Sequence, residues 1–447
     1  MNPIDAIVAL ILLVGLLVNV HPVIPIAAIC VVILRGTSTR LTKGIRFGKV
    51  EWAVVSCLAY WLASYFWSTG DLENLVSFDF LRNDGAMLFS YSALVFFLGW
   101  PLKPKLCRAF WMVFLIVLSL VAVAGTALVL NLPYSHFLGP LGVVDESGGG
   151  TIFFGWYHAH NTAGGVYAMA AVLALAFLQE PKVSANQKIF RWVLLACCLS
   201  GLLVTYSRGA YIAFVAGAAV ILPLRNLRTV FKAGLLVAVP AVLILALSNS
   251  LVRRLDSTLD TSDPHALDRF ALWSRAWGDF TDSPIIGMGY GRYNDVMAGY
   301  WGIRGIVWVA TKAKIMNDDS MAHNSYLHFL AEGGLVGLWV TMLVWWYAWK
   351  ELSFFESHFP RSQLYWLQKG AQACMSVGMV QALTEHAIGR GSIVIVLDAL
   401  IGMTLAAVRL EARQAVQAKS GRGGIAAKAP TPRTARVPLS GVTVARD

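Results

Sequence analysis

The chain has 447 residues, of which 57% are hydrophobic and only 14% charged, and its mean hydropathy is +0.62. A soluble globular chain carries about 25% charged residues, so this one lacks the charge to wet a soluble surface; a secreted disulfide scaffold, a disordered chain and a cytosolic enzyme are excluded. The net charge of +11 sits largely in short loops between apolar runs and in the C-terminal tail, which is the pattern of a polytopic membrane protein and not of nucleic-acid binding.

A hydrocarbon core about 30 Å thick needs roughly 20 helical residues. Apolar runs of suitable length occupy 5–34, 50–67, 85–101, 108–131, 161–179, 190–206, 208–224, 229–248, 325–349, 366–384 and 391–409. The first is too long for one untilted span, and His21-Pro22 at its middle predicts two short helices. The expected fold is therefore all-α, with about twelve membrane spans and a large, partly helical outward loop. The organisation read from the chain is transmembrane helices with short loops over 1–248, the loop over 249–322 with a candidate helix at 266–279, further spans over 323–410, and a disordered basic tail over 411–447. Loops rich in Lys and Arg (Arg35 to Lys49, Lys103 to Arg108, Lys182 to Arg191, Arg225 to Lys232, Lys350 to Lys369) alternate with acidic or mixed ones, so the positive-inside rule places both termini in the cytoplasm. Cys30, Cys57, Cys107, Cys197, Cys198 and Cys374 lie in or beside apolar runs without metal-ligand spacing, and read as small buried hydrophobes. The N-terminus has no Lys or Arg before its first apolar run and no convincing cleavage site, so it does not read as a removable signal peptide.

Polar residues that interrupt apolar helices on the outward face are the candidates for function, because ionisable groups there are costly. Trp156-Tyr157-His158-Ala159-His160-Asn161 opens one span; its two histidines cannot share one helical face, and Asn161 reads either as a cap or as a polar ligand contact. Thr205-Tyr206-Ser207-Arg208-Gly209-Ala210 puts an arginine in a tight outward turn, where a phosphate or pyrophosphate suits the guanidinium fork; snorkelling, or pairing with an Asp of the large loop, is the plainer alternative. In the large loop, Arg269, Trp273 and Arg275 are followed by Pro284 and Gly287-Met288-Gly289-Tyr290-Gly291, read as a tight turn holding an Arg-bearing helix over the membrane. His323-Asn324-Ser325 then opens a long apolar helix containing Gly333, Gly334 and Gly337. Its imidazole suits removal of a proton from a sugar hydroxyl, Asn324 or Ser325 suits the helix cap, and the glycines suit close approach of another helix. Asp318, Asp319 and His323 lack a standard metal-ligand pattern, so no metal is expected. His386 and Arg390 flank the last outward loop as candidates for substrate contact.

Together these residues resemble the bacterial O-antigen ligases. The resemblance rests on His323-Asn324 followed after nine residues by Gly334-x-x-Gly337, on Ser207-Arg208-Gly209-Ala210, on Arg269 through Trp273 with Pro284, Gly287 and Gly289, and on Asn161 at the head of a span. It covers roughly residues 150–345 by motif and the rest by topology. It implies transfer of a glycan from undecaprenyl pyrophosphate to the lipid A–core oligosaccharide, at the periplasmic face of the bacterial inner membrane, with neither nucleotide, metal nor other cofactor. On that basis His323, Arg208 and Arg269 are expected to be catalytic, and Arg275, Asn161, Asn324, Ser207 and Arg390 to bind substrate. The expected partners are the lipid-linked glycan, the lipid A–core acceptor and membrane lipids, without nucleic acid. The alternatives are a polymerase of the same superfamily, which would share every motif, and a membrane transporter or flippase, which would carry charges in mid-span.

Overall fold

The computed structural model describes residues 3–17, 23–43, 47–68, 85–132, 143–145, 152–157, 159–181, 183–222, 264–293, 321–389 and 392–422. Among them are twelve helices and one small hairpin: α1 (Pro3–Leu17), α2 (Val23–Lys43), α3 (Lys49–Ser68), α4 (Gly85–Gly99), α5 (Pro104–Val129), β1 (Val143–Asp145), β2 (Ile152–Gly155), α6 (His160–Leu178), α7 (Ala185–Val204), α8 (Arg208–Ile221), α9 (Pro264–Asp282), α10 (Ser325–His358), α11 (Tyr365–Gln381) and α12 (Ser392–Arg422). The expected all-α membrane architecture is the one found, and α9 is the helix expected in the large loop. Five helices are long and apolar enough to cross a membrane: α5, α6, α7, α10 and, within α12, Ile393–Ala418. The run at 229–248, the basic tail beyond 422 and most of the large loop lie outside the described residues.

The centre of the bundle is α6. Every residue from Ala163 to Leu178 is buried, as befits a helix that is apolar on all sides. The first apolar run divides into α1 and α2, as its length demands. Arg35 of α2 donates its Nε to Asp5 Oδ1 at the head of α1 at 2.8 Å, and Trp100 Nε1, just past α4, donates to the same oxygen at 3.1 Å. Other ion pairs join the helix ends that carry the basic loops. Arg108 and Arg191 share Glu180. Arg409 grips Glu51 and Glu351, each through two hydrogen bonds. The head of α6, the α7–α8 turn, the head of α10 and the α11–α12 turn gather at the opposite ends of these helices.

A short antiparallel hairpin, β1 with β2, stands between α5 and α6 in a chain read as all-α; it is anchored by buried Phe153, whose ring packs on Gly125 and on Tyr167. Helix α12 also continues to Arg422, past the tail boundary at 411, because Arg409 is held near the middle of this helix and Glu411 accepts from Ser362 Oγ at 2.6 Å. Asp398 lies buried within α12, accepting from Ser90 Oγ at 2.7 Å.

The long helix α10 is broken on purpose. Gly334 adopts φ 58°, ψ −162°, a conformation essentially closed to residues with a Cβ. The backbone groups freed by the break meet the loop after α9: Met288 N–H donates to Ala331 O (2.9 Å), Gly289 N–H to Glu332 O (2.8 Å), Leu335 N–H to Pro284 O (2.9 Å) and Val336 N–H to Ile285 O (3.1 Å). Such exchange is what permits irregular backbone at membrane depth. Gly333 and Gly337 instead face Trp61 of α3, the close helix approach expected of them, and Tyr60 of that helix donates to Gly333 O at 2.6 Å.

A Cβ at Gly334 would lie 2.4 Å from the Ile285 backbone, whereas one at Gly278, inside α9, meets nothing within 4 Å. Gly334→Ala is therefore expected to cost about 1–3 kcal/mol from backbone strain alone and to lower the thermal unfolding midpoint in detergent. Gly278→Ala is expected to leave it unchanged or raise it, by about 0.5–1 kcal/mol.

Candidate active site

Helix α10 begins with a tightly specified turn. His323 takes a left-handed conformation at φ 45°, which turns the chain into the helix. Asn324 caps it, its Oδ1 accepting from the N–H groups of Tyr326 and Leu327 at 3.0 and 3.1 Å. The same turn is clipped to the segment between α11 and α12. Ser325 N–H donates to Ala382 O at 2.8 Å, Asn324 Nδ2 to Leu383 O at 3.1 Å, and Ser325 Oγ to Glu385 O at 3.1 Å. These bonds leave little freedom in how His323 meets Glu385.

The Glu385 carboxylate is the point at which the site converges. Its Oε1 accepts from Asn161 Nδ2 at 2.6 Å and from Arg269 Nη2 at 2.9 Å. Its Oε2 lies 3.1 Å from His323 Nδ1. Four elements thus meet on one side chain: the head of α6, helix α9, the head of α10 and the α11–α12 turn. The carboxylate is 15% exposed, while Arg269 and His323 are 36% and 39% exposed, so the cation and the imidazole stand on the accessible side of the acid. With Nδ1 donating to the carboxylate, the Nε2 lone pair of a neutral imidazole is left for another partner.

The Arg208 turn abuts the same segment. Tyr206 is left-handed at φ 53°, Ser207 is buried, and a Cβ at Gly164 of α6 would sit 2.7 Å from Ser207 Cβ. At Gly209 a Cβ would come within 2.2 Å of Thr384 Oγ1. Helix α8 therefore begins against the neighbour of Glu385, with the Arg208 side chain exposed. The heads of α6, α8 and α10 all abut the α11–α12 turn, and helix N-termini favour negative charge.

The remaining residues separate into two groups. Arg275 is buried and pairs with Asp279 at 3.3 Å, its guanidinium 5.1 Å from the centre of the Tyr293 ring. Burial pushes the Asp279 carboxyl up, and Arg275 pulls it back. Tyr293 N–H in turn donates to Glu332 of α10 at 3.1 Å. Arg275 thus belongs to the joint between α9 and α10, which also includes His328 and, stacked edge-on against it, His386. Asn161 and Asn324 spend their amides on protein groups, and Ala159, not Asn161, occupies the cap position of α6. Arg390 and Asp318-Asp319 lie outside the described residues. Among the described residues, no three His, Cys, Asp or Glu side chains stand close enough to hold a metal ion.

Sequence reasoning passed over Glu385 while naming its neighbour His386. The available signal was an acidic residue at the end of an apolar run, where it is costly unless paired.

Residues 193–342 match the family model for O-antigen ligase. This part of the chain is similar to the O-antigen ligase family. It runs from α7 into α10 and contains Arg208, Arg269, Arg275 and His323; Asn161 and Glu385 fall outside it. No curated protein matches the chain. The superfamily is one of glycosyltransferase-like enzymes with lipid-linked glycan substrates, and the long apolar helices agree in making this a membrane protein.

The contact between Gly209 and Thr384 gives a direct check on the packing that carries Arg208. Gly209→Ala is expected to destabilise the protein by about 1–3 kcal/mol through overpacking. Adding Thr384→Ala, which leaves the Thr384 Cβ 3.2 Å away, should restore most of the loss in a thermal unfolding measurement.

Proposed function

We propose that the protein transfers a glycan from undecaprenyl pyrophosphate to the lipid A–core oligosaccharide at the periplasmic face of the inner membrane, without a metal. The observation that carries this reading is the junction at Glu385, where an accessible arginine and an accessible imidazole are held by one carboxylate beside the Arg208 turn. An anion-binding group and a candidate base are what displacement of a diphosphate by an alcohol requires.

In this mechanism Arg208 and Arg269 hold the diphosphate and meet the negative charge that grows on it as the glycosidic C–O bond breaks. The positive ends of α6, α8 and α10 add to the same field. His323 Nε2 takes the proton of the acceptor hydroxyl as its oxygen bonds to the anomeric carbon. The polyprenyl tail stays in the bilayer, which accounts for a group-transfer site at the end of a helical bundle. Ser207 and Asn324 serve as framework for Arg208 and His323, and Arg275 fixes the loop that presents Arg269.

The proposed sidedness is supported by the described basic residues: Arg108, Arg191 and Lys369 pair with Glu180 and Glu356 toward the other ends of their helices from Glu385, and the positive-inside rule favours the cytoplasm for such an end.

The test is transfer in vitro with purified protein, lipid-linked glycan and lipid A–core, with and without a chelator. The wild-type protein is expected to form the ligated product in both conditions. His323→Ala and Arg208→Ala are expected to insert normally and lose transfer, and loss of a single preorganised donor corresponds to about 3–4 kcal/mol in barrier. Extended chains on the lipid carrier, with no product on lipid A–core, would identify a polymerase instead. Flux across liposomes without bond formation would identify a transporter. Wild-type rates in both variants would overturn the assigned roles.

A further inference from the structure

We propose that Glu385 is the positioning residue of the transfer reaction: one carboxylate that holds the base with one oxygen and the diphosphate-binding arginine with the other. The inference rests on the functional reading above and goes beyond it, because it assigns a role to a residue outside the matched stretch and predicts that the two halves of the site are mechanically linked.

The division of labour is visible in the atoms. Oε2 stands against His323 Nδ1, and Oε1 against Arg269 Nη2. The carboxylate is itself held. Asn161 Nδ2 donates to Oε1 from the rigid central helix, Glu385 N–H donates to Gln381 O at 2.9 Å, and its carbonyl accepts from Ser325 Oγ. Glu385 therefore has little room to adjust, and it sets where the more exposed side chains of His323 and Arg269 stand.

Glu385 Oε2 facing Nδ1 favours the tautomer with hydrogen on Nδ1 and leaves Nε2 to accept a proton. The proton passes from the acceptor hydroxyl to Nε2, the hydroxyl oxygen bonds to the anomeric carbon, and the electron pair of the broken C–O bond leaves on the diphosphate. The Nδ1 proton stays where it is, and Glu385 is not protonated in the step. Arg269 uses one nitrogen on Glu385, and its fork retains donors for the departing phosphate oxygens. The spacing between base and leaving-group clamp is then fixed by the width of one carboxylate. A purely structural lock would need neither the accessible imidazole nor the accessible guanidinium.

The experiment uses the full chain in nanodiscs and compares wild type with Glu385→Gln and Glu385→Asp. Glu385→Gln keeps the backbone contacts and an acceptor for Asn161, and it is expected to remain folded at the assay temperature. Its kcat should fall about 100-fold, with partial recovery in Glu385→Asp. Binding of undecaprenyl diphosphate, measured separately, should weaken about tenfold in Glu385→Gln, a change of about 1.4 kcal/mol, but should not weaken further when the same substitution is made in Arg269→Ala. A wild-type kcat in Glu385→Gln would overturn the proposal. So would equal losses of diphosphate binding in both backgrounds, which would mark Glu385 as a structural residue only. If the wild-type protein transfers no glycan, the functional reading fails, and the diphosphate arm still decides whether Glu385 positions Arg269.

Discussion

A carboxylate at the end of an apolar bundle is expensive to keep ionised unless donors meet it, and removing one donor from such a group costs more than the bond was worth. Glu385 is met by Asn161, Arg269 and His323. Each donor comes from a different part of the chain, so satisfying this one group fixes the head of α6, the helix of the large loop and the start of α10 relative to one another. The polar end of the molecule depends on that constraint as its apolar interior depends on the burial of α6.

A second constraint supports the first. Helix α9 has to be held over the bundle if Arg269 is to reach Glu385, and side-chain contacts are not the only thing that holds it. The break at Gly334 opens the backbone of α10, and the loop 284–289 fills the opening with hydrogen bonds from both strands of chain. Buried Arg275, Asp279, Tyr293 and Glu332 close the joint beneath. An element outside the bundle is thereby attached to it as firmly as a helix within it. The ion pairs at the other helix ends, around Asp5, Glu180 and Arg409, are spent on the bundle itself.

Much of this was legible in the sequence, and the reasons differ by residue. The division of the first apolar run follows from length alone. The cap at Asn324 and the tight approach at Gly333 and Gly337 follow from residue type at the start and face of a helix. The arginine turn at 205–210 was conspicuous because it puts a positive charge in a short turn between two apolar runs, outside the clustered basic loops. Glu385 was not legible in the same way: its three donors are 224, 116 and 62 residues distant in sequence, and no local spacing encodes such a meeting. Arg275 and Arg269 look alike as members of one helix, and only packing separates the buried strut from the accessible clamp. Gly334 read as a packing glycine because a positive φ has no signature beyond glycine itself.

The end of this bundle around Glu385 is proposed to receive a diphosphate. The most direct measurement is a structure of the protein with an undecaprenyl-pyrophosphate-linked glycan bound. Phosphate oxygens are expected within hydrogen-bond distance of Arg208 and Arg269, with the anomeric carbon on the His323 side. A diphosphate held at the other end of the bundle, or one bound beyond the reach of both arginines, would contradict this proposal.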